Sequence, residues 1–165
     1  MKTLRLLLVE DTASDVRLVR EALKETGVPV ELSVARDGVE AMDYLHQAEF
    51  GMASRPDIVL LDLNLPRKNG REVLSELKSS SNLKQIPVIV MTSSRADDDI
   101  NEAYALNANC YITKPNDLNE YIHIIRAIED FWFYTATLPD NFHSGGGPHR
   151  RSNSFSQPVV SQAVH

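Results

Sequence analysis

Short apolar runs along the chain alternate with longer segments in which apolar residues recur every three or four positions. The short runs predict five β-strands, at residues 4–9, 31–35, 57–62, 87–92 and 109–113. The runs at 57–62 and 87–92 are almost continuously apolar, which is typical of strands buried on both faces of a parallel sheet. The run at 31–35 is weaker because polar residues interrupt it.

The longer segments predict five helices, over residues 12–26, 39–48, 71–80, 97–106 and 117–135. In the first of them Val16, Val19 and Leu23 share one face, and Gly27 ends the helix. Asp117 is suited to cap the last one. Regular alternation of strands and helices predicts an α/β fold, with parallel strands, right-handed crossovers and helices on both sheet faces.

Polar residues stand at the carboxyl ends of four predicted strands. The first strand ends in Glu10 and Asp11, the third in Asp62, the fourth in Thr92 and the fifth in Lys114. In an open parallel sheet these ends lie along one edge, where such folds bind ligands at the switch point in strand order. The five side chains are therefore expected to form one site.

The chemistry of these five residues indicates an aspartyl-phosphate site. Three converging carboxylates repel one another, so they require a cation or a proton. Hard oxygen ligands favour Mg²⁺, held by Glu10, Asp11 and Asp62. Lys114 supplies a positive charge and Thr92 a hydroxyl donor for a phosphoryl group carried by Asp62, the predicted nucleophile.

Composition limits the other possibilities. The chain has 165 residues, a net charge of −6 and a pI near 5.3, which argues against DNA binding by this chain. No segment has the roughly 18 uncharged apolar residues that a membrane span needs, and the N-terminus is a poor signal peptide. Cys110 is the single cysteine, which excludes an internal disulfide. A cytoplasmic protein is expected.

With these residues in place, the sequence resembles the receiver domains of two-component response regulators over roughly residues 4–130. The matching positions are Glu10-Asp11, Asp62 with Pro66 and Gly70 behind it, Thr92, Tyr111 and Lys114-Pro115. The resemblance implies a flavodoxin-like (βα)5 fold with strand order 2-1-3-4-5. It also implies that the main-chain carbonyl of Asn64 completes the metal site, that Thr92 and Tyr111 act as switch residues, and that the Lys114–Pro115 peptide is cis.

Several further segments are similar to the small single-domain regulators that pair with bacterial phytochrome histidine kinases. They are Leu61-Asp-Leu-Asn-Leu-Pro, Gly70-Arg-Glu-Val-Leu, Asn109-Cys-Tyr-Ile-Thr-Lys, Phe131-Trp132 and Thr137-Leu-Pro. This likeness implies a phosphorelay protein that accepts a phosphoryl group from a kinase and switches the face formed by helix four, strand five and helix five. Such a protein is not an enzyme beyond its own phosphoryl transfer and autodephosphorylation.

The last helix carries two apolar stripes, although a surface helix needs only one for the core. Leu118, Ile122, Ile125 and Trp132 form the first, which is assigned to the core; the second consists of Tyr121, Ile124, Ile128 and Phe131. An exposed apolar stripe of this kind predicts a homodimer through helix five. The alternative is that Phe142 and the tail fold back over it.

The composition changes after Pro139, where Gly, Ser, Gln and Arg replace the periodic apolar pattern. We therefore expect a receiver domain at residues 1–138 and a disordered C-terminal tail at residues 139–165, with no room for an output domain.

Three other functions use related features. A phosphatase of the haloacid dehalogenase type has a second aspartate two residues after its nucleophile, where this chain has Asn64, and a cap domain. A flavodoxin-type FMN carrier needs a hydroxyl- and glycine-rich phosphate loop after strand one, where Glu10-Asp11 would repel a phosphate. A scaffold that is never phosphorylated would not need the acidic residues, Thr92 and Lys114.

Overall fold

Five parallel strands form one sheet in the order β2-β1-β3-β4-β5 in the computed structural model, which describes residues 2–140. The strands are β1 (Leu4–Val9), β2 (Val30–Ala35), β3 (Ile58–Leu61), β4 (Val88–Thr92) and β5 (Cys110–Thr113). The predicted α/β class and strand order are confirmed. The order turns back between β1 and β3, so the switch point lies where these two strands end.

Five α-helices connect and follow the strands: α1 (Ala13–Thr26), α2 (Gly38–Glu49), α3 (Gly70–Ser79), α4 (Asp97–Ala105) and α5 (Leu118–Glu129). The first four agree with the predicted helices to within one or two residues at each end. The predicted helix 117–135 was too long as an α-helix, because its last part, Asp130–Thr135, is a π-helical turn. This turn contains four consecutive aromatic residues, which are weaker helix formers than the straight-chain residues.

Side-chain caps fix where the helices begin. Asp37 accepts a hydrogen bond from the Glu40 N–H at the start of α2, and Asp117 caps α5 in the same way, as predicted. Asn69 and Glu72 form a reciprocal capping box at α3. At the other end of α1, Gly27 has a φ of 72°, the left-handed conformation that commonly ends a helix.

The core consists of two apolar layers, one on each face of the sheet. Helices α2 and α3, with Ala103 of α4, pack on one face around Leu7, Val59 and Val90. Helices α1 and α5 pack on the other face around Leu6, Leu60 and Ile89. Successive residues of each strand point to opposite faces, so the central strands need apolar residues at every position.

The predicted assignment of apolar stripes on α5 was wrong for Tyr121, Ile128 and Leu118, although Ile125 is buried and Phe131 is exposed as predicted. Tyr121 is 1% exposed and Ile128 is 7% exposed, and with Ile125 they form the face that packs against α1. The 121/125/128 spacing places these three side chains on one face of the helix, which α1 and the sheet cover. By contrast Leu118, which was assigned to the core, is 36% exposed. Of the predicted interface residues, Ile124 is half-buried and Phe131 is 51% exposed.

Several remaining expectations concern the backbone and the tail. No peptide bond in residues 2–140 is cis, so the cis Lys114–Pro115 bond that the resemblance implied is wrong for this structure; trans is the lower-energy isomer of X–Pro bonds. Residues 141–165, including Phe142 and nearly all of the expected tail, lie outside the described residues.

Within residues 2–140 no helix combines the length and apolar character that crossing a membrane requires.

Candidate functional site

The carboxyl ends of β1, β3, β4 and β5 bring the predicted site residues together. Val9 of β1 pairs with Leu61 of β3, so the next residues along each chain, Glu10 and Asp62, emerge side by side. Thr92 ends β4 and pairs with Thr113, which directly precedes Lys114. The side chains that the sequence placed at strand ends therefore converge because of the parallel register.

Glu10, Asp11 and Asp62 form a compact group of carboxylates. One oxygen from each lies within 4.8 Å of the other two; Glu10 and Asp62 are buried, whereas Asp11 is exposed. Main-chain N–H groups orient two of them, since Thr12 donates to Glu10 Oε1 at 3.1 Å and Asn64 donates to Asp62 Oδ1 at 3.0 Å. Hard oxygen atoms at this spacing, with one open side, fit a small divalent cation.

Lys114 is the positive charge of the site. Its Nζ lies 2.7 Å from Glu10 Oε2, 2.8 Å from Asp62 Oδ2 and 3.0 Å from Asp15 Oδ2. Burial by itself lowers the pKa of Lys114, but the hydrogen bonds to these three carboxylates outweigh burial and hold the pKa above its usual value. The ammonium group therefore stays charged at every physiological pH and offsets part of the repulsion among the acids.

Glu10 has an unusual proton affinity. Burial raises the pKa of its carboxyl group to about 7, helped by the negative charge of Asp62 and opposed by the hydrogen bond from Lys114. Because this pKa is raised, ionisation of the Glu10 carboxyl group costs more free energy than usual. A bound cation would offset that cost.

Thr92 and Tyr111, which were predicted to act as switch residues, both form hydrogen bonds near the site. The buried Thr92 hydroxyl donates to Asp62 Oδ1 at 2.9 Å. Tyr111 is half-buried, and its hydroxyl donates to the main-chain carbonyl of Ser94, two residues after Thr92, at 2.9 Å. The end of β4 therefore contacts the acidic group through Thr92, and the loop that follows contacts the hydroxyl of Tyr111 through Ser94.

The start of α3 packs directly against the backbone of Asp62. The Gly70 N–H donates to the Leu63 carbonyl at 3.0 Å. A Cβ atom at Gly70 would lie 2.1 Å from the Asp62 carbonyl oxygen and 2.6 Å from Leu63 Cα. Only glycine fits at this position without a shift of the backbone that carries Asp62.

Asp15 is a site residue that the sequence reasoning missed. It lies in the first turn of α1, and besides contacting Lys114 its Oδ1 lies 3.4 Å from the hydroxyl of Tyr121. Acidic residues are common in the first turn of any helix, so nothing in the pattern separated Asp15 from an ordinary helix-terminal acid. Tyr121, which was assigned to an interface, instead directs its hydroxyl toward this site.

Comparison with known proteins agrees with this geometry. The family model of the response regulator receiver domain matches residues 6–126. Response regulator Rcp1 of Synechocystis sp. is 48% identical over 135 residues, which cover 81% of this chain and 92% of that protein.

Solved structures are also similar. The structure of the phosphorylated cyanobacterial phytochrome response regulator RcpA is 52% identical with a TM-score of 0.79, covering 84% of this chain and 100% of that one. The Mn²⁺-bound form of Rcp1 is 47% identical with a TM-score of 0.75, covering 82% and 99%. The matched region contains the fold and all of the strand-end residues described above, and the chain belongs to the response regulator receiver family, as a homologue of the phytochrome response regulators.

Proposed function

We propose that Asp62 accepts a phosphoryl group from a phosphohistidine of a histidine kinase, most specifically one of the phytochrome type. The observation that carries this proposal is the environment of the Asp62 carboxylate. One of its oxygens accepts from Thr92, the other contacts Lys114, and the group adjoins the carboxylates of Glu10 and Asp11. The similarity to regulators named for phytochromes supports the choice of kinase.

In the proposed reaction an Asp62 oxygen attacks the phosphorus atom, the bond between phosphorus and the kinase imidazole nitrogen breaks, and that nitrogen keeps the electron pair. Lys114 donates to an equatorial phosphoryl oxygen, which offsets the negative charge that develops there. Thr92 is placed to donate to another oxygen of the transferred group. Water later hydrolyses the acyl phosphate at the same site, which releases phosphate and restores the Asp62 carboxylate. We propose no enzymatic activity beyond these two steps.

We propose Mg²⁺ as the cation, held by Glu10, Asp11 and Asp62 together with the main-chain carbonyl of Asn64. Mg²⁺ keeps several water molecules and commonly binds through one or two carboxylates and phosphate oxygens, which suits the exposed side of this acidic group. When bound, the cation supplies neutralising charge for the carboxylates and the phosphoryl oxygens. The Mn²⁺-bound form of the similar protein Rcp1 supports a divalent ion of this kind.

Metal binding is expected to depend on pH through Glu10. The pKa of this carboxyl is raised to about 7, so below that pH a proton occupies the group that the metal needs. The apparent affinity for Mg²⁺ should fall by about tenfold for each pH unit below about 7 and level off above it. Calorimetric titration of the protein with Mg²⁺ from pH 5.5 to 8.5 measures this, and an affinity that is constant from pH 6 to pH 8 contradicts it.

Output is proposed to pass through the face formed by α4, β5 and α5. Movement of the Thr92 hydroxyl from Asp62 to a phosphoryl oxygen would shift the loop whose Ser94 carbonyl accepts from Tyr111. Tyr111 would then change its packing at this face. The acidic net charge of −6 supports protein partners, and not DNA, as the recipients of this signal.

Phosphotransfer from a kinase tests the proposed function. A purified phytochrome-type histidine kinase, first autophosphorylated with ATP and freed of nucleotide, is mixed with the regulator in the presence of Mg²⁺. We expect the phosphohistidine to disappear as a base-labile phosphoryl group appears on the regulator. An autophosphorylated kinase that transfers to its own regulator but not to this chain would contradict the proposed pairing.

We also propose that the chain forms a homodimer through α5 and the π-helical turn. Three large apolar side chains of this region are exposed: Leu118 by 36%, Phe131 by 51% and Tyr134 by 65%. Phe131 and Tyr134 lie three residues apart in the π-helical turn, and Leu118 lies at the start of α5. Exposed apolar side chains of this size indicate an interaction surface, and a second copy of the chain would cover them symmetrically.

The dimer is tested with Phe131→Glu, which places a charge at the centre of this surface. Phe50→Glu is the matched control, because Phe50 is 77% exposed but follows α2, on the opposite face of the sheet. In analytical ultracentrifugation we expect wild type and Phe50→Glu to sediment as dimers, and Phe131→Glu to dissociate about a hundredfold more readily. A wild-type monomer at 100 μM protein (on the order of 10⁻⁴ M) would exclude this interface.

A further inference from the structure

Lys114 has a third carboxylate partner, Asp15, outside the acidic group. The carboxylate of Asp15 is not one of the three that form the metal-binding group, yet it lies 3.0 Å from Lys114 Nζ. Its other oxygen lies 3.4 Å from the hydroxyl of Tyr121. An ammonium group has three N–H donors, and here three carboxylates, from Glu10, Asp62 and Asp15, contact it.

Two of these three contacts must change during the proposed reaction. In the proposed reaction Glu10 and Asp62 hold the cation, and Asp62 also becomes an acyl phosphate, so both have less negative charge to offer Lys114. Asp15 belongs to neither group. It is therefore the carboxylate that remains with Lys114 throughout.

Asp15 is itself held at a fixed place. It lies in the first turn of α1, and only 25% of its side chain is exposed. Tyr121 is 1% exposed in the layer between α1, α5 and the sheet, so its hydroxyl cannot move away without disturbing the core. A continuous series of contacts therefore connects Tyr121 of α5, Asp15 of α1 and Lys114.

We propose that Asp15, supported by the hydroxyl of Tyr121, is a positioning residue that holds Lys114 beside an equatorial oxygen of the transferred phosphoryl group. This inference rests on the proposed function of Asp62 as phosphoacceptor. The side chain of lysine is a flexible four-carbon stem, which alone does not fix the position of its ammonium group. In this inference Asp15, a residue outside the metal site, fixes that position.

The test is the initial rate of phosphorylation by acetyl phosphate, followed by intact-protein mass, in Asp15→Ala, Asp15→Asn and Tyr121→Phe. Glu21→Ala is the control, since Glu21 lies on the same helix and its side chain forms an exposed ion pair with Lys24. Removing a whole donor from such a site costs about 100- to 1000-fold, and misplacing one costs less. We expect Asp15→Ala to be slower by about tenfold and Tyr121→Phe by about threefold, with Glu21→Ala unchanged.

Two further readouts separate positioning from general damage. Asparagine keeps an oxygen that accepts from Lys114, so Asp15→Asn should recover at least half of the lost rate. The Mg²⁺ concentration that gives half the maximal rate should be the same in all variants, because Asp15 is not a metal ligand.

Unchanged rates in Asp15→Ala would overturn the inference. So would faster rates in both Asp15 variants, because they would show that its charge only repels the anionic donor. A shift in Mg²⁺ dependence equal to the loss of rate would assign Asp15 to the metal site instead. In each of these cases wild type still takes up phosphate, whereas failure of wild type and every variant would contradict the proposed function itself.

Discussion

Replacing Asp62 with asparagine is expected to abolish phosphoryl uptake and to leave the fold intact. The amide oxygen carries no negative charge and is a far weaker nucleophile toward phosphorus, so the rate should fall by at least about a thousandfold. The shape of the side chain is retained, and its oxygen can still accept from Thr92 and from the Asn64 N–H. Lys114 keeps its contacts with Glu10 and Asp15.

The measurement is the intact mass of wild type and Asp62→Asn after incubation with acetyl phosphate and Mg²⁺. Asp43→Asn makes the same chemical change at an exposed position of α2 and serves as the control. We expect one added phosphoryl group on wild type and on Asp43→Asn, and none on Asp62→Asn. Equal uptake by all three proteins would show that another side chain is the acceptor.

Gly70→Ala is expected to destabilise the protein and to impair the site together. The added methyl group would lie 2.1 Å from the carbonyl oxygen of Asp62, and both of its nearest neighbours are backbone atoms that no side-chain rotation can move away. Relief requires α3 or the loop after β3 to shift. We expect a loss of about 2–4 kcal/mol in the free energy of unfolding, and phosphorylation at least about tenfold slower, because the nucleophile moves with its backbone.

Gly27→Ala is an informative control for this substitution. Gly27 has a φ of +72°, but a Cβ atom there would meet no atom within 4 Å. This variant should lose only about 1 kcal/mol, from backbone strain, and keep the wild-type rate of phosphorylation. Urea denaturation and the acetyl phosphate assay on both variants separate strain from steric clash. A Gly70→Ala protein as stable and as active as wild type would contradict the packing of α3 on Asp62.

The fold could be predicted from the sequence because parallel strands that are buried on both faces have an easily recognised pattern of apolar residues. Runs such as 57–62 and 87–92 have apolar residues at nearly every position, and helix-type periodicity separates them. The convergence of Glu10, Asp62, Thr92 and Lys114 followed from the same topology, because all of them end strands that lie side by side in one sheet.

The sequence was a weaker guide where tertiary contacts decide between equivalent patterns. Helix α5 has apolar residues around most of its circumference, so periodicity alone did not show which of them α1 would cover. The packing buried Tyr121 and Ile128 and left Leu118 at the surface, the reverse of the prediction. Asp15 was missed for a related reason, since its contact with Lys114 joins residues 99 positions apart.

The geometry also bears on the three other functions. Asn64 is exposed, and its N–H, not a carboxyl group, faces Asp62, so the site has no second acid in the place a haloacid dehalogenase-type phosphatase requires. The carboxylates of Glu10 and Asp11 lie close together directly after β1, and their negative charges would repel the phosphate of a flavin. A scaffold that is never phosphorylated would keep the same fold but gain no mass on incubation with acetyl phosphate and Mg²⁺.

Chemical trapping of the phosphorylated residue tests the central claim most directly. Borohydride reduces an aspartyl phosphate, but not a free aspartate, to homoserine, releasing phosphate. Wild-type protein is incubated with acetyl phosphate with and without Mg²⁺, reduced, digested and analysed by peptide sequencing in the mass spectrometer. We predict homoserine at position 62 alone, and only in the sample that contained Mg²⁺. Homoserine at another position would contradict the assignment of Asp62 as the phosphoacceptor. So would the absence of homoserine when a control receiver domain, treated in parallel, does yield it.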